Sequence, residues 1–132
     1  MTEAIDFAKL NILVIDDQEF VRTIVKKMLI QIGIGKVCEA EDGHSGVATA
    51  VREKPDLVIC DIQMRPVDGF GFVRTLRGTP GMEKLPVILL TAHTDPATIT
   101  RAKDLHLRAF LAKPVLPPAL KDKIISVLSG GY

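Results

Sequence analysis

Five polar residues that could act in one reaction each follow a short apolar run of this sequence. Asp16 and Asp17 follow the run at 12–15, and Asp61 follows the run at 57–60. Thr91 follows the run at 87–90, and Lys113 follows the run at 109–112. Carboxylates brought close together repel one another, and oxygen ligands without histidine or cysteine suit Mg²⁺, for which Mn²⁺ can substitute. A divalent cation beside a free carboxylate and an ammonium group is an arrangement for phosphoryl transfer to a carboxylate oxygen. The residue types therefore indicate an aspartyl phosphate as the product.

The apolar runs predict the elements that would bring these residues together. Each run is continuous rather than alternating, which is typical of a strand covered on both faces in a parallel sheet. Residues 36–40 are a weaker candidate for a further strand. Helical patterns lie between the runs and supply the long crossovers that parallel neighbours need. The order predicts a doubly wound (βα)5 sandwich of three layers around a five-stranded parallel sheet.

Apolar spacing predicts the buried face and the ends of each helix. The inward residues of the first helix are Phe20, Val21, Ile24, Val25, Met28, Leu29 and Ile32, with Gly33 as its stop. Those of the second are Val47, Ala48 and Val51, and those of the third are Phe70, Phe72, Val73 and Leu76 after a cap at Asp68. The fourth has a weak stripe, Ile99, Ala102 and Leu105, after a cap at Thr94 or Asp95 and then Pro96. The fifth begins at Pro117 or Pro118 and buries Leu120, Ile124, Val127 and Leu128.

The carboxyl ends of parallel strands meet at one edge of an open sheet, where ligands bind. The predicted strands therefore deliver three carboxylates, a hydroxyl and an ammonium group to one rim. An aspartate after a strand is also common as a turn residue or a helix cap, and that interpretation is the better one for any single acid here. All five residues at the strand ends together favour a functional site.

Length and composition exclude several classes of protein. The 132 residues fit one domain spanning 1–132, with a core at about 10–129, a lead at 1–9 and a tail at 130–132. The net charge is +1 and aromatic residues make up 5% with no Trp, so neither direct nucleic-acid binding nor membrane insertion is expected. Cys38 and Cys60 have no metal-binding spacing and are expected to be buried thiols. The acidic N-terminus is unlike a signal peptide, so a cytoplasmic location is expected.

Six motifs make the sequence resemble the receiver domains of two-component response regulators. In chain order they are Ile-Leu-Val-Ile-Asp-Asp (12–17), Ala-Glu-Asp-Gly (40–43), Pro-Asp-Leu-Val-Ile-Cys-Asp-Ile-Gln-Met (55–64), Asp-Gly-Phe (68–70), Pro-Val-Ile-Leu-Leu-Thr-Ala (86–92) and Phe-Leu-Ala-Lys-Pro (110–114). Each motif alone is weak, but their order and spacing together are specific. The resemblance implies the flavodoxin-like strand order 2-1-3-4-5. One departure is Arg65, which stands where the family usually has proline.

The resemblance implies a role for each residue of the rim. Asp61 would accept the phosphoryl group and bind Mg²⁺, Asp17 would bind Mg²⁺ directly, and Asp16 would act mainly through a metal-bound water. The backbone carbonyl of Gln63 would complete the metal ligands, and Lys113 would contact the phosphoryl group.

It also implies a conformational response. The Thr91 hydroxyl would move onto a phosphoryl oxygen, and Phe110 would turn into the space that it leaves. The Lys113–Pro114 bond would be cis, and Gln63 and His93 would tune the lifetime of the phosphoryl group.

The expected partners follow from the same resemblance. A sensor histidine kinase or a histidine phosphotransferase would supply the phosphoryl group. An unidentified target protein would bind the face formed by the fourth helix, fifth strand and fifth helix. The domain would be a monomer or a phosphorylation-dependent dimer, and it would catalyse only its own phosphorylation and dephosphorylation. A phosphorylation-independent binding module or a phosphate sink of the same fold is the alternative.

Two other classes fit the residues less well. Phosphatases with an aspartate nucleophile typically carry a second aspartate two residues later as the acid–base group, but Gln63 stands there and cannot transfer protons in that way. A flavin-binding electron carrier needs a first loop that cradles phosphate, and here that loop begins Asp-Asp-Gln-Glu (16–19), which repels phosphate unless a cation intervenes.

Overall fold

The computed structural model describes residues 5–92, 96–104, 107 and 109–130, with the side chain of Ile99 excepted. A 3₁₀ turn at Phe7–Lys9 precedes five strand–helix pairs. The pairs are β1 (Asn11–Ile15) and α1 (Glu19–Ile32), β2 (Lys36–Ala40) and α2 (Gly43–Glu53), β3 (Leu57–Asp61) and α3 (Gly69–Arg77), β4 (Val87–Thr91) and α4 (Pro96–Asp104), and β5 (Phe110–Ala112) and α5 (Pro117–Leu128). All five predicted strands are present, including the weaker candidate at 36–40.

The strands form one parallel sheet in the order β2-β1-β3-β4-β5, which confirms the predicted fold. Asp61, the last residue of β3, pairs with Leu90, and Thr91, the last residue of β4, pairs with Ala112. The neighbouring strands thus end together. Residues that follow them emerge at a single edge of the sheet.

The core lies on both faces of the sheet, because successive strand residues point to opposite sides. On one face, Ile12, Val14, Leu57, Ile59, Ile88 and Leu90 pack against Val25 and Leu29 of α1 and Leu120, Ile124 and Val127 of α5. On the other face, Leu13, Ile15, Val58, Cys60, Val87 and Leu89 pack with Ala50 of α2, with Phe70, Phe72, Val73 and Leu76 of α3 and with Ala102 of α4. This two-sided burial explains why the strand sequences are continuously apolar.

Most predicted helix boundaries are confirmed. Gly33 ends α1 in the left-handed region at φ 109°, and the Asp68 carboxylate caps α3 by accepting a hydrogen bond of 2.8 Å from the Gly71 N–H. Helices α4 and α5 begin at Pro96 and Pro117. The predicted cap at Thr94 or Asp95 lies outside the described residues, as does Leu105 of the predicted stripe.

The predicted buried faces of α1 and α2 are partly wrong. Phe20 and Ile24 of α1 are predicted to face inward, but they are 77% and 38% exposed, and the fully buried residues of this helix are Val25 and Leu29. In α2, Ala48 and Val51 are exposed, and Val47 is half-buried. The buried face of α2 consists instead of Gly43, Gly46, Thr49 and Ala50.

Both cysteines are free thiols. Cys60 is buried as expected, and burial raises its pKa well above the ordinary value, whereas Cys38 is only half-buried. None of the helices in the described part of the chain combines the length and the apolar character that a membrane span requires.

Candidate functional site

The carboxyl ends of β1, β3 and β4 bring three polar residues together in buried positions. Asp16 follows β1 directly, and Asp61 and Thr91 are the last residues of their strands. All three are at most 5% exposed. Burial of two carboxylates beside a hydroxyl is costly unless a partner compensates for the lost hydration. Their common position therefore points to a ligand site.

Asp17 joins this group from the solvent side. One carboxylate oxygen from each of Asp16, Asp17 and Asp61 can be chosen so that all three lie within 4.8 Å of one another. Asp16 and Asp61 are buried, and Asp17 is exposed. Three negative charges at this separation repel one another strongly unless a cation lies among them.

The Asp16 side chain shows that the group suits a divalent cation. Its Oδ1 accepts a hydrogen bond of 2.9 Å from the Gln18 N–H, whereas its buried Oδ2 has no hydrogen-bond partner. Burial raises the pKa of Asp16 above its ordinary value, and the charges of Asp61 and Asp17 add to the effect. An oxygen-only donor set with one unsatisfied carboxylate oxygen fits Mg²⁺ or Mn²⁺. Asp16, Asp17 and Asp61 are thus the side chains that could hold such an ion.

Lys113 brings a positive charge to the same site from the end of β5. Its Nζ lies 2.9 Å from Asp61 Oδ1 and 4.0 Å from Asp16 Oδ2. Its backbone N–H donates to the Thr91 carbonyl at 2.9 Å, which continues the pairing of β5 with β4 past the strand end. The ammonium group is therefore directed at Asp61 across the intervening strand β4.

Two peptide bonds near the site are cis. One is Lys113–Pro114, as the resemblance implied, and the other is Arg65–Pro66 in the loop after β3. The second was not anticipated from the sequence, where Arg65 stood out only as a departure from the usual proline.

The remaining residues singled out from the sequence have different surroundings. Phe110 begins β5, is half-buried and packs against the core cluster on the α2–α3 face. Gln63 is exposed, two residues after Asp61. His93 lies outside the described residues.

Arg22 of α1 touches the acidic loop and was missed by the sequence analysis. Its Nη1 donates a hydrogen bond of 2.7 Å to the backbone carbonyl of Asp16. A contact to a main-chain carbonyl leaves no trace in residue types, because every residue has that group. The position of Arg22 one turn into α1, five residues after Asp17, is the available signal.

The comparisons with known proteins identify the family. The family model described as "Response regulator receiver domain" matches residues 12–125, which is most of the chain. The chain belongs to this family. It is a receiver domain of the kind found in two-component signalling.

Individual relatives agree with this assignment. The receiver domain is 34% identical over 119 residues to the "Probable chemotaxis protein CheY" of Rhizobium etli, covering 90% of this chain and 92% of that one. A solved structure of CheY4 from Vibrio cholerae superposes with a TM-score of 0.84 at 29% identity, covering 89% of this chain and 98% of that one. The signal receiver domain of a histidine kinase from Syntrophus aciditrophicus gives 0.81 at 30% identity, covering 92% and 91%.

Proposed function

We propose that this receiver domain accepts a phosphoryl group on Asp61 and thereby switches its contacts with other proteins. The observation that carries the proposal is the surroundings of Asp61. Its carboxylate is 2.9 Å from the Lys113 ammonium and belongs to a cluster with Asp16 and Asp17 in which one buried oxygen has no hydrogen-bond partner. The Asp61 carboxylate is thus a nucleophile placed between the Lys113 ammonium and the proposed site of a divalent cation.

The proposed donor is a phosphohistidine on a sensor histidine kinase or a histidine phosphotransferase. A carboxylate oxygen of Asp61 attacks phosphorus in line, so that an O–P bond forms and the P–N bond to imidazole breaks. The electron pair of the broken bond goes to the imidazole nitrogen. Charge on the equatorial oxygens of the transferring group must be neutralised, and Lys113 is positioned to contribute to this.

Asp16, Asp17, Asp61 and the backbone carbonyl of Gln63 are the proposed metal ligands. When bound, Mg²⁺ supplies positive charge at the transferring oxygens and relieves the repulsion among the carboxylates. Lys113 orients the Asp61 carboxylate through their 2.9 Å contact. The buried apolar residues of β3 and its neighbouring strands exclude water from the inner side of Asp61. We assign Gln63 and His93 to tuning the lifetime of the phosphoryl group.

The proposed response to phosphorylation involves Thr91 and Phe110. The Thr91 hydroxyl binds a phosphoryl oxygen, and Phe110 moves inward in β5, which alters the face formed by α4, β5 and α5 where a target protein binds. Arg101 attaches helix α4 to the start of α3 through two side-chain contacts. The Arg101 guanidinium lies 4.5 Å from the centre of the Phe70 ring and 3.8 Å from Asp68 Oδ2, at the start of α3.

The test is a measurement of intact mass after incubation with acetyl phosphate. We expect the protein to gain about 80 Da, the mass of one phosphoryl group, only when Mg²⁺ or Mn²⁺ is present. Asp61→Asn should abolish the gain. Asp122→Asn is the matched control, because it removes an exposed carboxylate of α5 outside the acidic cluster and should leave the gain unchanged.

A gain that persists in Asp61→Asn would place the acceptor elsewhere and contradict the assignment. If no gain is seen in the wild-type protein, a titration with beryllofluoride, which mimics an aspartyl phosphate, follows. Binding of beryllofluoride with loss in Asp61→Asn would support an acceptor that takes phosphoryl groups from its cognate phosphohistidine. Absence of binding would overturn the proposal in favour of a phosphorylation-independent binding module.

A further inference from the structure

Arg22 connects three parts of the receiver domain through one side chain. Its backbone lies in the first turn of α1, its Nη1 donates to the Asp16 carbonyl at 2.7 Å, and its Nε donates to Glu39 Oε1 of β2 at 3.2 Å. The Arg22 side chain is 15% exposed and its bond to the Asp16 carbonyl is partly buried, whereas the contact with Glu39 lies at the surface. A planar guanidinium with several fixed N–H groups can satisfy two acceptors at once, which a single ammonium nitrogen cannot do with the same fixed geometry.

The accepting carbonyl belongs to the peptide that joins Asp16 to Asp17. A peptide unit is planar, so holding its oxygen fixes the direction in which the chain enters Asp17. The Asp16 N–H donates to the Ala40 carbonyl at 3.2 Å, and Asp16 Oδ1 accepts from the Gln18 N–H at 2.9 Å. With Arg22, three of the four polar groups of Asp16 are held, and the fourth, Oδ2, is the buried oxygen with no hydrogen-bond partner.

We infer that Arg22 is a positioning residue that holds the Asp16–Asp17 peptide so that both carboxylates face Asp61 and bind the divalent cation. The ion pair with Glu39 serves to orient Arg22 rather than to stabilise the fold, because a partly exposed ion pair contributes little free energy by itself. Groups that orient metal ligands typically change metal affinity by about 10- to 100-fold when they are removed. The inference rests on the proposed function, because it concerns the metal site of the phosphoacceptor.

The charge of Arg22 and its positioning role have opposite effects on Mg²⁺ affinity. Arg22 is a cation close to a site for a divalent cation, so its positive charge opposes metal binding. Removing the charge alone would therefore strengthen binding of Mg²⁺. Only the loss of positioning predicts that Mg²⁺ binds more weakly when Arg22 is removed.

The experiment measures Mg²⁺ affinity by the shifts of backbone amide NMR signals during a titration, well below the thermal transition of each variant. We expect Arg22→Ala to raise the Mg²⁺ dissociation constant about tenfold. Arg22→Lys keeps the charge but has one donor nitrogen, and its dissociation constant should lie between those of the wild type and Arg22→Ala. Lys26→Ala is the matched control, because Lys26 is one turn along α1 and pairs with the same Glu39 at 3.3 Å. It should change the constant by less than about twofold, as expected for a half-exposed charge.

The outcomes separate this inference from the proposed function. Wild-type protein that binds no Mg²⁺ contradicts the proposed function itself. Wild-type binding with an unchanged or lower dissociation constant in Arg22→Ala overturns only the positioning role, and so does an equal weakening in Lys26→Ala. If Arg22→Ala fails to fold, Arg22→Lys decides, because unchanged affinity in that variant contradicts the inference.

Discussion

At the scale of single residues, the buried carboxylate of Asp16 is expected to lower the free energy of unfolding of the metal-free protein. Its buried Oδ2 has no hydrogen-bond partner, and burial raises its pKa. Asp16→Asn removes the charge and keeps an oxygen that can accept from the Gln18 N–H. We expect this variant to be more stable than the wild type by about 1–2 kcal/mol in metal-free buffer, because burying a charge costs more than burying a neutral amide of the same shape. Chemical denaturation with and without Mg²⁺ measures the difference.

Saturating Mg²⁺ should reverse the order of stability, because an ion that binds only the folded wild-type protein adds free energy of unfolding. Asp17→Asn is the comparison variant, because Asp17 belongs to the same cluster but is exposed. It should weaken the effect of Mg²⁺ without stabilising the metal-free protein. Equal metal-free stabilisation by both substitutions would mean that repulsion within the cluster, rather than burial of Asp16, dominates.

The residues of the site were predictable from the sequence to different degrees. Asp16, Asp61 and Lys113 could be placed together because each marks the end of an apolar strand, and strand ends of a parallel sheet share one edge. Arg22 could not, because its partner in the acidic loop is a main-chain carbonyl. The interatomic distances that distinguish a hydrogen bond from mere proximity are also absent from a sequence.

At the scale of elements, the start of α2 predicts a pH-dependent contribution to stability. The Asp42 carboxylate accepts a hydrogen bond of 2.8 Å from the Ser45 N–H, and hydrogen bonds from Ser45 hold the pKa of Asp42 below its ordinary value. A carboxyl whose pKa is lower in the folded chain stabilises the fold above its unfolded-state pKa, and this contribution is lost as the pH falls through the folded-state pKa.

Asp42→Ala should therefore lower the free energy of unfolding by about 1 kcal/mol at neutral pH, as is usual for loss of a helix cap. The difference from the wild type should shrink when urea unfolding is repeated below about pH 3, where the unfolded chain is protonated. Asp42→Asn keeps an acceptor oxygen without the charge and controls for the hydrogen bond alone. A difference that is the same at both pH values would count against the titration of Asp42.

The start of α3 packs directly against the backbone at the end of β3, which carries the proposed phosphoacceptor Asp61. A Cβ atom on Gly69 would lie 2.7 Å from the Asp61 carbonyl oxygen and 2.9 Å from Ile62 Cα. Backbone atoms cannot rotate away, so we expect Gly69→Ala to cost about 1–3 kcal/mol in urea unfolding, as overpacking does. Gly78→Ala at the other end of α3 is the control, because its nearest atom would be 3.6 Å away, and it should cost little. Similar costs for the two substitutions would show that the close approach to Asp61 is relieved in solution.

The helix faces show where sequence patterns fail. The pattern located α2 but selected Ala48 and Val51 as buried, because it weights apolar side chains. Helix α2 lies so close to the sheet and α3 that a Cβ on Gly46 would be 2.7 Å from Ile15 Cδ1 and 3.1 Å from the Phe72 ring. Small residues therefore form its buried face, and hydrophobicity does not detect them.

At the scale of the whole molecule, the fold was predictable because burial on both faces of the sheet makes the strand sequences continuously apolar. Helices on both faces leave β1, β3 and β4 without a solvent-facing side, so their sequences are apolar at almost every position. Once five strands alternate with five helices, the right-handed crossover leaves few topologies. The exact strand order came from the resemblance to receiver domains, since burial alone does not specify which strands are neighbours.

Two phenylalanines test this account of the core, because the sequence pattern expects both to face inward. Phe72 is fully buried on the α2–α3 face, whereas Phe20 at the start of α1 is 77% exposed. We expect Phe72→Ala to lower the free energy of unfolding by about 3–5 kcal/mol, a large part of the stability of a domain of this size. Phe20→Ala should change it by less than about 0.5 kcal/mol, since little apolar surface is buried there. Chemical denaturation of both variants makes the comparison, and a loss in Phe20→Ala as large as that in Phe72→Ala would mean that Phe20 packs against the body of the domain in solution.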